Sequence, residues 1–294
     1  MKLATSTNLM DKVYDTFGVI PPEESVLACK AAGFDVLDYN FCDQGRPGKP
    51  ITFPDWEEYL ARFKSFCDAN EILFPQTHLH MYDPAEHHNE DEGWERELLR
   101  RSVKGSGILQ TSWAVAHPLH FKRAGYTRAD YLKLNWEFFG PIVEEAATMG
   151  YGLSFENMVQ FPGQEYEFAC NAADLVELVD GFHLPNVGIN WDFGHANLSV
   201  PDQAAELRAI GKRIKTTHVA DNHGRRDEHL APFYGFVDWP LMMRTLAEIE
   251  YEGDFTYEIQ AMSSPLPRVL RATQTAHFVE IARHLIAIFE ESKK

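Results

Sequence analysis

VGINWDFGHANLSVPDQAAELRAIGKRIKTTHVAD (187–221) holds one complete repeat of the pattern from which the chain is built. An apolar run, VGINWDF (187–193), ends in Asp192 with His195 just beyond it. A helical stretch follows over 201–212, and a second run, IKTTHVAD (214–221), carries His218. Short apolar runs bounded by turn signals read as buried strands, and a strand–helix–strand order calls for a right-handed crossover between parallel neighbours.

The same unit recurs in both directions. LATST (3–7), DVLDYNF (35–41), ILFPQTHLH (72–80), SWAVAHP (112–118), YGLSFENM (151–158) and FTYEIQA (255–261) bring the candidate strands to eight. Helix candidates alternate with them at 21–33, 54–70, 94–107, 128–149, 165–180, 238–251 and 266–291; the first opens on Pro21-Pro22 and stops at Gly33. Strict alternation predicts an α/β fold, a (β/α)8 TIM barrel forming a single domain over 1–294. An open doubly wound sheet would show a Gly-rich phosphate fingerprint after its first strand, and STNLMDKVYDTFG (6–18) has no GxGxxG.

Composition narrows the function classes. Lys and Arg number 27 against 44 Asp and Glu, a net charge of −17 that repels a phosphate backbone, so nucleic acid is disfavoured as a partner. Cys29, Cys42, Cys67 and Cys170 form no CxxC pair, which argues against a zinc ribbon or disulfide framework and fits a reducing compartment. Neither a leader-like apolar run nor a span approaching ~18 apolar residues is present, so a soluble cytoplasmic protein with no membrane partner is expected.

In a barrel, chemistry gathers at the C-terminal strand ends. Strand 2 offers Asp38 and Asn40 as candidates to reach a substrate, strand 3 His78 and His80, and strand 4 His117. Glu156 ends strand 5, Asp192 strand 6, His218 strand 7, and Glu258 lies in strand 8. One such residue alone is better read as a satisfied buried polar group. Four of them, three carboxylates and an imidazole, converge from strands 5 to 8, where unpaired carboxylates would repel and shift upward in pKa, a cost that a divalent cation relieves. The O/N donor set suits Mn, Mg, Co or Fe, with Zn also compatible, and separate strands leave coordination positions open for a substrate.

FENM (155–158), NWDFGHAN (190–197), THVADN (217–222) and TYEI (256–259), with DEHLAPFYGFVDW (227–239), resemble the sugar isomerase/epimerase-like (xylose isomerase-like) barrels, a family related to ketose 3-epimerases and endonuclease IV. The resemblance implies one divalent metal, commonly Mn, on Glu156, Asp192, His218 and Glu258. Glu156 and Glu258 would be the acid/base pair, and His195 would hold a substrate oxygen. It implies a small carbohydrate substrate, a ketose or related polyol, and by family habit a homo-oligomer. His80, His117, Asp227, His229 and Trp113 join His195 as substrate-binding candidates. Where the 3-epimerases carry an Arg, this chain has Gly224 followed by Arg225 and Arg226; where they carry a substrate-contacting Glu it has Pro162.

Two alternatives use the same residues. A lyase acting on a keto-sugar, keto-inositol or 3-keto-glycoside would expel a β-substituent after the same proton abstraction. An endonuclease IV-like phosphodiesterase on abasic DNA would bind further metal through His78 or His80, His117, Asp227 and His229. Trp191 and Phe193 are expected in the core, and His87 and His88 in a solvated acidic loop, with a lid over the barrel mouth as the alternative reading.

Overall fold

The computed structural model describes residues 1–11, 20–85, 92–161, 163–263 and 265–293. All eight expected strands form: β1 Leu3–Ser6, β2 Val36–Asn40, β3 Gln76–His78, β4 Trp113–Ala116, β5 Gly152–Glu156, β6 Val187–Asp192, β7 Ile214–His218 and β8 Phe255–Tyr257. They pair in parallel in the order β7-β6-β5-β4-β3-β2-β1-β8. Closure between β7 and β8 rests on the parallel bridge of Val219 with Tyr257, where Val219 N–H donates to Thr256 O at 2.7 Å and Glu258 N–H to Val219 O at 3.1 Å. The sheet is therefore a nearly closed TIM barrel and not an open doubly wound sheet.

Helices Pro22–Ala32, Trp56–Ala69, Glu92–Ile108, Arg128–Thr148, Ala172–Asp180, Gln203–Ile210, Trp239–Glu248 and Arg268–Ser292 follow the strands in turn. Their ends have local causes. Gly33, at φ 107, closes the first, its N–H on Lys30 O and the Phe34 N–H on Cys29 O, and Thr127 with Asp130 forms a capping box on the fourth. The helix expected from 165 starts only at Ala172, because Asn171 accepts from Asp174 N–H and sets the cap there.

Outward strand residues pack on the helices: Phe155 stands 5.0 Å from Phe139 and 5.4 Å from Phe182, ring centre to ring centre. Trp191 and Phe193 are fully buried, as expected of core residues. Short helices Phe41–Gln44 and Phe193–Ser199 begin inside stretches expected to continue as strand. In each case the last strand residue is a cap: Asn40 accepts from Asp43 N–H and Asp192 from His195 N–H, so the chain turns helical at once. Among the described residues no helix is long and apolar enough to cross a membrane.

Candidate metal centre

The register puts Glu156 beside Asn190 and Asp192 beside His218 at the C-terminal ends of β5, β6 and β7. With Glu258, just past β8, Glu156, Asp192 and His218 present one donor atom each within 4.8 Å of one another. His218 Nδ1 lies 2.6 Å from Glu156 Oε1, 3.5 Å from Glu258 Oε2 and 4.0 Å from Asp192 Oδ2. Asp192 divides its two oxygens between tasks. Oδ1 accepts from His195 N–H at 2.7 Å, while Oδ2 is buried with no hydrogen-bond partner. Burial, with the carboxylates of Glu156, Glu258 and Asp227 close by, pushes the Asp192 carboxyl up to about 6. Three carboxylates, an imidazole and an orphaned buried oxygen fit a divalent cation.

Two further groups adjoin this set. His78 Nε2 and His117 Nε2 approach Glu156 Oε2 at 3.4 and 2.9 Å, and His78 fixes its ring with Nδ1 on Leu79 O at 2.8 Å. Burial holds His117 down to about 4. On the other flank, Asp227 Oδ2 lies 2.9 Å from His229 Nε2 and 3.5 Å from His195 Nε2. Both of these rings anchor Nδ1 on a backbone carbonyl, His195 on Asn157 O at 2.7 Å and His229 on Glu258 O at 2.9 Å. Such anchoring turns Nε2 toward the ligand side. Although burial opposes it, Glu258 and Asp227 raise His229 to about 9.

The structure thus brings together Glu156, Asp192, His218, Glu258, His117, His195, Asp227 and His229. It does not bring in His80 or Trp113. His80 Nε2 bonds Glu95 on helix Glu92–Ile108 at 2.5 Å, because β3 ends at His78 and the alternation of faces ends with it. Trp113 is the first residue of β4, paired with Gln76 and Gly152 at the starts of their strands. It lines a cavity of about 560 Å³ with Lys215 and Asp254 at the N-terminal mouth, so the expectation that its ring stacks on substrate is corrected.

Asn40 serves as a helix cap, and Arg225 and Arg226 are exposed. His87, His88 and Pro162 lie outside the described residues. Sequence reasoning missed Asp221. This fully buried carboxylate accepts from Asn222 N–H, Phe233 N–H, Val237 N–H and Trp239 Nε1–H at 2.8 to 3.1 Å, and so folds the loop that delivers Asp227 and His229. Its proximity to His218 in sequence was the only signal.

Comparison with known proteins places this geometry in a family. The chain matches the xylose isomerase-like TIM barrel over residues 26–282. An uncharacterized protein of Methanocaldococcus jannaschii is 31% identical over 166 residues, 55% of each chain, so this chain spans about half the length of that relative. The ketose 3-epimerase of Arthrobacter globiformis is 22% identical over 251 residues, 84% of this chain and 80% of that one. Among solved structures, a D-tagatose 3-epimerase-like protein superposes with a TM-score of 0.73 at 23% identity over 100% of both chains, a likeness of fold. The extent of the family match and the nearly closed eight-stranded barrel agree: the chain belongs to the xylose isomerase-like TIM barrel family.

Proposed function

We propose that the protein is a divalent-metal-dependent sugar isomerase or epimerase, acting on a ketose or related polyol by moving a proton on carbon next to the carbonyl. The observation that carries this reading is the convergence of Glu156, Asp192, His218 and Glu258 at the barrel mouth, with donor atoms within 4.8 Å. A metal held there, Mn by family habit, supplies Lewis acidity that makes the C–H beside the carbonyl more acidic. Glu156 and Glu258 come from strands on different sides of the mouth, which suits one carboxylate removing the proton and the other returning it from the opposite face of an enediolate. His195, its ring fixed by Asn157 O, offers Nε2 to a substrate oxygen. The names of the ketose 3-epimerase relative and of the D-tagatose 3-epimerase-like neighbour support the same chemistry.

The test is incubation of the Mn-loaded protein with a panel of ketoses in deuterated water. Deuterium entering next to the carbonyl, and lost in Glu156→Gln, is the expected result; metal-loaded protein that exchanges nothing in any of them sinks the proton-transfer reading. Elimination products in place of epimers would assign the lyase variant, since the same carboxylates serve both.

A second reading has its own observation. His78 and His117 on Glu156, and His195 and His229 on Asp227, give the mouth two more imidazole–carboxylate groups than one metal requires. That surplus favours an endonuclease IV-like phosphodiesterase, and the −17 charge disfavours it. Metal per chain, by elemental mass spectrometry after desalting, separates them. About one supports the sugar reading, and two or three would make abasic-site cleavage the activity to assay.

A further inference from the structure

Beneath the cluster the barrel interior is polar where branched aliphatic side chains are the rule. His218 turns Nδ1 to the three carboxylates of the mouth and Nε2 down the barrel, where Asp38 Oδ2 waits at 3.4 Å. Asp38, near the end of β2, is 1% exposed, and its Oδ2 is turned to protein partners. The same Oδ2 accepts from Gln76 Nε2–H of β3 at 3.0 Å. Gln76 Oε1 in turn accepts from Thr256 Oγ1–H of β8 at 3.2 Å.

The direction of this file follows from its members. A threonine hydroxyl donating to the amide oxygen of Gln76 leaves the amide nitrogen for Asp38, and a carboxylate between two nitrogens can only accept. A proton on His218 Nε2 satisfies that contact, and a neutral ring so protonated has its lone pair on Nδ1, the atom a metal among the carboxylates would take. A buried carboxylate is costly without partners, and Asp38 has them only on the oxygen that faces His218 and Gln76; its Oδ1 is buried with no hydrogen-bond partner.

We infer that Asp38 is a positioning residue, which with Gln76 and Thr256 holds His218 in the orientation that presents Nδ1 to a metal. The inference rests on the metal site proposed above, and concerns what stands behind its histidine. Carboxylates in that place typically contribute 10–100-fold to metal affinity, roughly the effect to expect here.

The experiment compares wild type with Asp38→Asn and Thr256→Val by two readouts. One is the dissociation constant for Mn by titration calorimetry; the other is the His218 Nε2–H proton in 15N-histidine-labelled protein, measured metal-free and with Zn. In wild type that proton should be protected from solvent exchange. Asp38→Asn should weaken Mn binding about 10–100-fold and shift or broaden away the proton, and Thr256→Val, nearly isosteric, should do the same to a smaller degree. Mn affinity within twofold of wild type together with an unchanged proton in Asp38→Asn overturns the inference. Should Asp38→Asn fail to fold, Thr256→Val decides, and unchanged affinity and proton there overturn it. Should wild type bind no metal, the metal reading falls by itself and the imidazole proton decides alone: its persistence in the variant overturns the role of Asp38, and its loss supports it.

Discussion

Asn157 clasps the backbone of Asp192, with Nδ2 donating to Asp192 O at 2.9 Å and Oδ1 accepting from Asp192 N–H at 2.6 Å. The clasp joins the ends of β5 and β6 at the point where one supplies Glu156 and the other Asp192. Because Asn157 follows Glu156 in an extended chain, its side chain leaves on the other face and holds the sheet edge while Glu156 faces the mouth.

Asn157→Ala removes both bonds and leaves the buried Asp192 N–H without a partner, while Asp192 O keeps the first bond of the helix it caps. At about 1–3 kcal/mol for one buried group left unsatisfied, the loss of folding stability should be roughly 1–3 kcal/mol, read from urea unfolding. Metal affinity should fall with it, since Asp192 loses its fixed position. A stability change under about 0.5 kcal/mol would mean that the clasp is not formed in solution.

Metal should stabilise the fold. The carboxylates of Glu156, Asp192 and Glu258 crowd one space, and a ligand that binds only the folded state at about 100 times its dissociation constant adds about 2.7 kcal/mol. For a chain of 294 residues that corresponds to a rise in Tm of about 4–5 °C. Chelator should reverse the rise, and Glu258→Gln should reduce it. No rise with Mn, Mg, Co or Zn would remove the metal from the functional reading.

The barrel was legible because its signal is repetition: eight apolar runs, each followed by a helical stretch, leave few topologies open. The site was legible for a related reason. A carboxylate or imidazole at the last position of an otherwise apolar run, as with Glu156, Asp192 and His218, has nowhere to point but the mouth or the sheet back. Parity failed at β3, where His78 and His80 are two apart and should share a face. A three-residue strand cannot enforce alternation beyond its end, and His80 leaves for Glu95. Trp113 misled because sequence does not say which end of a run enters the sheet first in register, and Gly152 beside it leaves room for the indole at the N-terminal end. Asp38 and Asp221 act through partners distant in sequence, Gln76 in one case and the loop through Trp239 in the other, and only the folded chain brings those partners to them.

Gly235 is the tightest point of the loop that carries Asp227 and His229. A Cβ there would stand 2.3 Å from Asp221 Oδ1, 2.4 Å from Asn222 O and 2.6 Å from Asn222 N. Two of those neighbours are backbone and the third is a carboxylate held by four donors, so none yields easily. Gly235→Ala should cost about 1–3 kcal/mol, and should displace His229 enough to change metal stoichiometry or the KM for substrate. Wild-type stability and kinetics in this variant would show that the loop accommodates the methyl by moving as a whole.

Away from the site, Glu97 gives the fold a pH-dependent clamp. It accepts from Arg100 Nε–H at 2.7 Å and Nη2–H at 2.9 Å, and from Arg101 Nε–H at 2.8 Å; Arg101 continues to Ile51 O and Phe53 O and lies over Trp94 and Trp56. Hydrogen bonding from Arg100, with burial opposing it and Arg101 adding to it, lowers the Glu97 carboxyl from 4.5 to about 2. A folded-state value below the unfolded one means that folding favours the ionised form. Its contribution is therefore complete above about 4.5 and is lost as pH falls toward about 2. Glu97→Gln should unfold at lower temperature than wild type at neutral pH, and the gap should close across that acid window. A gap that stays constant from neutral pH to pH about 2 would assign the effect to lost packing around Arg101 and not to the charge.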